Sequence, residues 1–416
     1  MEHSVTFHSG QRGRSRMKRI VVIGAGQAGA SLVAKLRTLG FSGQITLIGE
    51  EPVLPYQRPP LSKAYLLGEM SQERLFLRPE SFYAEHNIDL HLGTKVESID
   101  RREQIVRLGD KVLPYDALAL TTGATPRHLP AMIGGTLAGV HAVRSLADVD
   151  AMAPDFGAGR RVVIVGGGYI GLEAAAVAAK KGLQVTVLEM APRILQRVAA
   201  PETSAAIQAL HEGHGVRFML ATGVQRIEGD SHVTGVRLSD GTRLDADFVI
   251  AGIGVTPATT LAEAAGLMVE NGIQVDARGR TSDPHVWAAG DCAAFPYRGT
   301  SLRLESVQNA IDQAELVAEN MLGAAKDYDP VPWFWSDQYD MKLQIAGLNT
   351  GYDRVILRQG DAPSHWYFAG DKFLAVDAMG DPRAFMVGKR LLEMGRSPDP
   401  AALADPQTDL KALLRA

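Results

Sequence analysis

The stretch RIVVIGAGQAG, residues 19 to 29, runs from an apolar β-branched segment directly into a GxGxxG turn. In such a turn the first glycine permits a tight corner, the second lets the backbone approach a pyrophosphate, and the third lets the next helix pack closely on the strand. These positions are Gly24, Gly26 and Gly29, and Glu50 follows after a second apolar run, LIGE. A carboxylate about twenty residues after the turn can accept hydrogen bonds from a ribose. The stretch therefore predicts a βαβ unit that binds a dinucleotide.

A second stretch, RVVIVGGGYIG at residues 161 to 171, repeats the same pattern. Its glycines are Gly166, Gly168 and Gly171, and its acid is Glu189. Strands are predicted over 19–23 and 44–48 in the first unit, and over 161–165 and 184–188 in the second, with helices near 28–39 and 169–181 between them. Two such units in one chain indicate two dinucleotides and electron transfer between them.

Composition limits the classes of protein to which the chain can belong. Its 416 residues suggest two or three domains. With 43 Lys and Arg against 47 Asp and Glu, the net charge is -4, so bulk charge gives no reason to expect a nucleic-acid or membrane partner. The longest apolar run, residues 162–179, contains three consecutive glycines and Glu173, and fits a buried strand and helix. We expect no transmembrane segment.

Cysteine content and the N-terminus bear on the compartment. A single cysteine, Cys292, excludes an intrachain disulfide and indicates a reducing compartment, which we take as the cytoplasm. The first sixteen residues carry Arg12, Arg14 and Arg16 without an apolar core segment, which predicts a disordered basic tail rather than a secretion signal. A transit peptide, and a natural start at Met17, stay open.

The rest of the chain adds sheets around the two units. Short strands are expected at 88–92, 95–100, 104–108 and 117–121, and again at 216–219, 224–227, 235–238 and 248–253. A strand ending at Ala289 would deliver Asp291 to the carboxyl edge of a sheet, where ligands bind in open α/β folds. A helix follows from about Val307 to Met321. Strand-like runs between 342 and 378, and a helix near 383–393, predict a separate domain with an antiparallel sheet.

Seven ordered motifs carry a family resemblance. Besides GAGQAG and GGGYIGLE they are PYQRPPLSK at 55–63, TTGATPR at 121–127, GIGVTP at 252–257, WAAGDC at 287–292 and WSDQY at 335–339. With these motifs the chain resembles the ferredoxin-reductase branch of the two-dinucleotide flavoproteins, which contains putidaredoxin reductase, rubredoxin reductase and the reductases of aromatic dioxygenases. The match runs from Met17 to about Leu392.

The resemblance implies an α/β fold of glutathione-reductase-like architecture: two Rossmann-like dinucleotide-binding domains and a C-terminal α+β domain. The FAD-binding domain would be discontinuous, over residues 17–124 and 258–327. The NAD-binding domain would take residues 125–257, and the C-terminal domain residues 328–416.

The resemblance also implies the cofactor contacts. FAD would lie on the first unit, with NADH on the second. The residues expected at FAD are Gly24, Gly26, Ala28, Gly29, Glu50, Arg58, Lys63, Val96, Arg144, Asp291 and Val307. Those expected at NADH are Gly166, Gly168, Tyr169, Ile170, Gly171 and Glu189. Because a carboxylate at Glu189 accepts from a 2′-hydroxyl and repels a 2′-phosphate, NADH is favoured over NADPH. Arg193, interpreted as a surface charge, could weaken that preference.

Three residues are expected to serve the reaction itself. By the resemblance, Lys63 and Glu173 form a charged pair beside the flavin, and Trp335 packs at its exposed edge. Simpler roles stay open, since Lys63 could cap a helix, Glu173 could be an inert helix charge and Trp335 an ordinary core aromatic. With no cysteine pair to accept electrons, the expected acceptor is a [2Fe-2S] ferredoxin that serves a cytochrome P450 or a ring-hydroxylating dioxygenase.

Two rival functions and one rival site complete the expectations. A rubredoxin reductase would have the same chemistry with another acceptor, and a redox-sensing interaction protein similar to apoptosis-inducing factor would reduce slowly and change shape. His211 and His214 have a spacing that could hold a metal, but we interpret them as a solvated helix end and predict no metal. Cys292 is interpreted as a small buried hydrophobic residue.

Overall fold

The first glycine turn lies at the centre of a five-stranded parallel sheet in the computed structural model, which describes residues 17–415. Across the sheet the strands are Val286–Ala288, Ala117–Leu120, Arg19–Ile23, Gln44–Ile48 and Ile88–His91. The chain therefore leaves this sheet and returns to it more than 160 residues later. The basic tail predicted for residues 1–16 lies outside the described residues.

The second glycine turn occupies the same place in a second parallel sheet of five strands. Their order is Arg217–Met219, Gln184–Leu188, Arg161–Val165, Phe248–Ala251 and Val140–His141. Both central strands are almost fully buried, which explains why they read as continuous apolar runs. The prediction of two Rossmann-like units is confirmed.

The two glycine turns have the same backbone geometry, and that geometry requires glycine. Gly24 and Gly166 have φ values of 112° and 111°, where a side chain is strained. A Cβ on Gly29 would lie 2.0 Å from the carbonyl oxygen of Gly24, and one on Gly171 would lie 2.2 Å from that of Gly166. The third glycine of each motif is therefore required by helix packing, as the sequence indicates.

Smaller antiparallel ladders surround the two parallel sheets. Two are three-stranded: Ser98–Asp100, Ile105–Leu108 and Lys111–Pro114; and Val224–Glu228, Gly235–Leu238 and Arg243–Asp245. A third small sheet is mixed: Ala293–Tyr297 pairs in parallel with Ile273–Gln274 and antiparallel with Thr300–Leu302. The chain crosses between the two parallel sheets through the paired strands Ala124–Pro126 and Val255–Pro257. The domain boundaries drawn from the sequence, which fall in this pair, stay a prediction.

Ten α-helices lie within the described residues: Gln27–Thr38, Ala64–Leu67, Glu80–Glu85, Leu146–Met152, Tyr169–Lys180, Pro201–Gly213, Thr260–Ala264, Val307–Met321, Pro382–Glu393 and Pro400–Ala404. The longest, Val307–Met321, begins at Ser306, whose hydroxyl accepts a hydrogen bond from the Asn309 amide. It packs on the helix that follows the first glycine turn. None of the helices in residues 17–415 has the length and apolarity to cross a bilayer.

The C-terminal part is an antiparallel sheet with the helices Pro382–Glu393 and Pro400–Ala404 against it. Its strands follow the order Trp333–Gln338, Met341–Gly347, Lys372–Met379, Ser364–Ala369 and Arg354–Arg358. Asp381 caps the helix Pro382–Glu393, whose Phe385 and Leu391 join the core under the sheet. The predicted antiparallel sheet and helix are confirmed. The first strand was marked in the sequence only as a motif, and it carries Trp335 to the first glycine unit.

Candidate functional site

A cavity of about 830 Å³ opens at the carboxyl ends of the first parallel sheet, in the size range of cofactor sites. The predicted site residues that line it are Gly24, Gly26, Ala28, Glu50, Arg58, Lys63, Val96, Arg144, Tyr169, Ile170, Glu173, Asp291, Val307 and Trp335. They come from the first unit, from the start of the second unit and from the C-terminal sheet. The fold thus brings together residues that are up to 311 positions apart in the sequence.

The glycine turn forms the floor of the cavity. A Cβ built on Gly26 would meet no protein atom within 4 Å, although Gly26 lines the cavity, so the space above it is free for a ligand. Gly26 also precedes the helix Gln27–Thr38, which has no side-chain cap. The free N–H groups and positive dipole end of that helix therefore face the cavity and suit a phosphate.

Glu50 and Val96 lie at one end of the cavity. The Glu50 side chain is 74% exposed, and its nearest cation among the described residues is the Lys95 ammonium, 3.8 Å away. Its carboxylate is therefore available to accept hydrogen bonds from a ribose. Val96, in the loop beside it, lines the same end of the cavity.

Two arginines also lie in the cavity lining. Arg144 makes an ion pair of 3.2 Å with Asp291, and Arg58 donates a hydrogen bond of 2.6 Å to the Arg144 carbonyl. The guanidinium of Arg58 is itself held by Glu51. Burial raises the pKa of Asp291, while Arg144 opposes the shift by favouring the charged carboxylate. Val307 begins its helix beside this cluster and lines the cavity.

A buried ion pair stands in the cavity wall. The Lys63 ammonium lies 3.1 Å from Glu173 Oε1 and 3.4 Å from an Asp337 oxygen. The hydroxyls of Ser62 and Ser336 donate to the two Glu173 oxygens at 2.9 and 2.8 Å. Lys63 precedes a short helix but makes no side-chain cap, and Glu173 is 7% exposed, so neither simpler role applies. Burial raises the pKa of Glu173, although Lys63 and both hydroxyls favour its charged form.

Aromatic side chains complete the wall where the second unit meets the C-terminal sheet. The ring of Tyr169 packs on Phe334 with centroids 4.8 Å apart, and Trp335 packs on Trp333 at 5.6 Å. Tyr169, Phe334 and Trp335 all line the cavity. Trp335 is only partly buried, so it is not an ordinary core residue.

The other predicted residues lie outside the cavity lining. Gly29 is packed against the Gly24 carbonyl, while Gly166, Gly168, Gly171 and Glu189 belong to the second glycine turn. The Glu189 carboxylate accepts hydrogen bonds of 2.8 Å from the backbone N–H groups of Gly167 and Ala191. These bonds fix the acid beside its glycine turn, where a ribose would reach it.

The side chain of Arg193 is committed to the backbone. It donates to the carbonyl oxygens of Ala199 at 2.8 Å and Gln196 at 3.2 Å. It is therefore a partly buried structural residue rather than the surface charge that we expected. Two of its five N–H donors are thus engaged with backbone carbonyls, which weakens the objection to a preference for NADH.

The burial of Cys292 and His211 tests two other interpretations of the sequence. Cys292 is fully buried and its thiol pKa is raised by desolvation, as expected for a small hydrophobic residue. The expectation of a solvated helix end is wrong for His211, because its ring is fully buried against Gln338 and Tyr339. Within residues 17–415, no group of three His, Cys, Asp or Glu side chains could hold a metal ion.

Several site residues were not singled out in the sequence. Ser62, Ser336 and Asp337 hold the buried ion pair, and Glu51 holds Arg58. The first three do lie inside the quoted motifs at 55–63 and 335–339. Their presence in a motif was the available signal, but their partners are distant in the sequence.

Comparisons with known proteins agree with this geometry. The family model of pyridine nucleotide-disulphide oxidoreductases matches residues 18–314, and that of the reductase C-terminal domain matches residues 333–414. A ferredoxin–NAD(P)+ reductase of a Sphingomonas species is 45% identical over 94% of this chain and 96% of its own. Rhodocoxin reductase of Rhodococcus erythropolis is 44% identical over 94% of this chain and 93% of its own.

Among solved structures, the covalent putidaredoxin reductase–putidaredoxin complex matches with a TM-score of 0.92 and 42% identity, over 96% of this chain and 98% of the other. The resemblance drawn from the seven motifs is confirmed. The chain belongs to the pyridine nucleotide-disulphide oxidoreductase family.

Proposed function

We propose that this chain is an FAD-dependent NADH:ferredoxin oxidoreductase, whose acceptor is a [2Fe-2S] ferredoxin that serves a cytochrome P450 or a ring-hydroxylating dioxygenase. The observation that carries the proposal is the single cavity that joins the first glycine turn, the Lys63–Glu173 pair and the start of the second loop helix. The names of the similar reductases support the acceptor.

The residues of the cavity fit FAD. The open space above Gly26 and the uncapped helix beside it suit the pyrophosphate, and Glu50 suits the adenosine ribose. When bound, FAD supplies the chemistry of accepting a hydride and releasing electrons one at a time. Val307, at the start of its helix, would place backbone N–H groups and a positive dipole end at the flavin end.

The protein's own contribution is positioning. Lys63 and Glu173 hold each other in one geometry in the wall, and the hydroxyls of Ser62 and Ser336 leave the carboxylate little freedom to turn. A fixed charge pair of this kind is pre-organised before NADH arrives. Tyr169 and Ile170 would guide the nicotinamide to the same wall from the second unit.

The second glycine turn supports NADH rather than NADPH. Glu189 is fixed by two backbone N–H groups, and its charge would repel a 2′-phosphate. Arg193 would offer that phosphate less compensation than a free arginine, since two of its five N–H donors are engaged with carbonyl oxygens.

The electrons would leave for a separate protein. Cys292 is the only cysteine, so the chain cannot form the intrachain disulfide through which disulfide reductases pass electrons. Trp335, partly buried at the cavity wall, lies where an acceptor could approach. The lone, buried thiol also supports the cytoplasm as the site of action.

The test is anaerobic stopped-flow mixing of the FAD-loaded protein with NADH, followed by mixing with a [2Fe-2S] ferredoxin or with a rubredoxin. We expect rapid bleaching of the flavin and rapid transfer to the ferredoxin. Faster transfer to rubredoxin would favour the rubredoxin-reductase alternative. Slow bleaching with a stable long-wavelength charge-transfer band would favour the redox sensor, and a protein that NADH cannot bleach would contradict the proposal.

A further inference from the structure

A continuous run of hydrogen bonds, here called the Glu173 chain, leads from the cavity wall towards the protein surface. Ser336 Oγ lies 2.8 Å from Glu173 Oε1, and Gln338 Nε2 lies 3.1 Å from Ser336 Oγ. Gln338 Oε1 lies 2.8 Å from His211 Nε2, and the Tyr339 hydroxyl lies 3.0 Å from His211 Nδ1. The Glu173 chain joins the first strand of the C-terminal sheet to the helix Pro201–Gly213 of the second unit.

The donors and acceptors available in the Glu173 chain fix which group donates in each of its hydrogen bonds. A carboxylate only accepts, so the Ser336 hydroxyl donates to Glu173 and must itself accept from the Gln338 amide nitrogen. The opposite amide orientation would leave two acceptors competing for one hydroxyl proton. The Gln338 oxygen then accepts from Nε2–H of His211, and the unprotonated Nδ1 accepts from Tyr339. Every donor points towards Glu173.

Burial strengthens this direction. Ser336, Gln338 and His211 are all 0% exposed, and hydrogen bonds in series polarise one another where water is excluded. Burial also lowers the pKa of His211 to about 4, so its ring is neutral at physiological pH, as the chain requires. Burying three polar side chains costs free energy that an apolar core would not, which argues that the donated bond has a use.

We propose that the Glu173 chain keeps the Glu173 carboxylate ionised beside Lys63, and that Gln338 and His211 are positioning residues for the reductase reaction. This inference rests on the proposed function. Each link restrains the next, so that the Ser336 hydroxyl stays aimed at Glu173. Loss of one hydrogen bond of the Glu173 chain lets that hydroxyl rotate. The charged form of Glu173 then becomes less favourable, and its pairing with Lys63 is less well fixed.

Other charged groups border both ends of the chain. At the inner end Lys63 faces Glu173 and also contacts Asp337, which lies 3.8 Å from the Lys342 ammonium. At the outer end the His214 ring stacks on Tyr339 with centroids 3.6 Å apart. The Lys180 ammonium contacts the Tyr339 main-chain carbonyl at 3.4 Å. Removing the Tyr339 hydroxyl leaves all of these contacts in place.

The test uses the FAD-loaded protein and two substitutions that interrupt the Glu173 chain. Gln338→Leu removes the middle of the chain, and Tyr339→Phe removes one oxygen at its outer end. We expect the acid limb of the rate of flavin reduction by NADH to move to higher pH, because the ionised form of Glu173 becomes less favourable. The expected shift is about one pH unit for Gln338→Leu and less for Tyr339→Phe.

Two readouts are independent of turnover. Infrared pH titration should show the protonated-carboxyl band of Glu173, identified by its loss in Glu173→Gln, appearing at higher pH in both cut variants. In ¹⁵N-histidine-labelled protein near neutral pH, His211 should carry its proton on Nε2, and Gln338→Leu should mix the two tautomers. Ser204→Ala is the matched control, because it removes a buried hydroxyl on the same helix that donates to the Ile194 carbonyl outside the chain.

A wild-type His211 protonated on Nδ1 would overturn the inference. So would an unchanged carboxyl band and acid limb in Tyr339→Phe and Gln338→Leu, or an equal shift in Ser204→Ala. If Gln338→Leu does not fold, Tyr339→Phe decides. If NADH fails to reduce the wild-type flavin, the proposed function fails, whereas the tautomer and carboxyl measurements still test the chain.

Discussion

The two glycine-loop units have the same backbone and opposite surroundings. Gly24 and Gly166 have φ values within 1° of each other, and each third glycine packs on the first. The first turn lies in a cavity walled by the second unit and the C-terminal sheet. Beside the second turn Met190 is 78% exposed, and Gly166, Gly168, Gly171 and Glu189 lie outside that cavity.

This difference separates a resident cofactor from a passing one. A ligand on the first turn would be covered on several sides, and leaving would require the loss of many contacts. A nucleotide on the second turn would meet a more open surface, from which we expect it to dissociate in each cycle. The glycine motif therefore determines which kind of ligand binds, and the surrounding chain determines how long it stays.

The largest effect should come from Gly24→Ala compared with Gly26→Ala. In Gly24→Ala the added methyl group would lie 2.2 Å from the Thr121 carbonyl oxygen, and the backbone there has a φ of +112°. We therefore expect loss of flavin and destabilisation of the fold by more than about 3 kcal/mol. Gly26→Ala meets no protein atom within 4 Å and should fold normally without FAD. Thermal unfolding and flavin content are the measurements. Full flavin content in Gly26→Ala would contradict the placement of the pyrophosphate.

The next effect concerns the ion pair where the two units meet. We expect Lys63→Ala to slow flavin reduction by NADH about 100-fold, with much less effect on FAD binding, because pre-organised charge is lost at the wall. Stopped-flow reduction and flavin titration measure the two quantities. Lys35→Ala is a suitable control, since Lys35 also has two carboxylate partners, Glu315 and Glu319, in a pairing apart from the cavity. Unchanged reduction kinetics in Lys63→Ala would count against the role.

A substitution in the second glycine turn should change KM for NADH rather than the flavin content. Gly168→Ala adds a methyl where no protein atom lies within 4 Å, so it should obstruct only the nucleotide. We expect KM for NADH to rise about tenfold, equivalent to about 1.4 kcal/mol, with the flavin retained. Gly213→Ala, which also has no neighbour within 4 Å, should leave KM unchanged. Loss of flavin from Gly168→Ala would erase the distinction between the two turns.

A smaller change is expected for nucleotide choice. Glu189→Ala removes the charge that would repel a 2′-phosphate, and should narrow the preference for NADH by about fivefold to tenfold. The measurement is kcat/KM for NADH and NADPH in both proteins. A wild type that prefers NADPH would refute the assignment.

The last effect is on stability rather than on turnover, and concerns the attachment of the second unit to the C-terminal sheet. Asp377 is buried and accepts hydrogen bonds from Tyr367 and, at 2.8 Å, from Thr203 on the helix Pro201–Gly213. Burial raises the pKa of Asp377 to about 6. Between its unfolded value near 4 and about 6, the folded chain holds a proton that the unfolded chain has lost, so the free energy of unfolding falls as pH rises through this window.

Asp377→Asn should flatten that pH dependence, which amounts to at most about 3 kcal/mol between pH 4 and 7. Urea unfolding at several pH values measures it, with the fully exposed Asp371→Asn as the control. An unchanged slope in Asp377→Asn would show that another group titrates there.

The sequence predicted best what depends on neighbouring residues. The strands Arg19–Ile23 and Arg161–Val165 and the helix Val307–Met321 were predicted with their observed bounds, because apolar runs, glycine turns and caps act over a few positions. The family resemblance then brought Lys63 and Glu173 together, and the structure places them 3.1 Å apart.

What the sequence did not reveal depends on contacts between distant segments. His211 has the polar neighbours of an exposed helix end, yet it is covered by a strand more than 120 residues later. Arg193 differs, because its partners, the carbonyls of residues 196 and 199, are near in sequence and only the folded loop directs them towards it. Ser336 gains its role only through Glu173, 163 positions earlier. Spacing along the chain cannot show such pairings.

The strand Trp333–Gln338 has a consequence for how the molecule is made. It supplies Phe334 and Trp335 to the cavity and the Ser336 hydroxyl to Glu173, although it belongs to the final fifth of the chain. On the ribosome the two glycine turns are synthesised before this part of the wall. We therefore expect the flavin cavity to be completed only near the end of translation, and a chain that ends before this strand to leave Glu173 without its Ser336 donor.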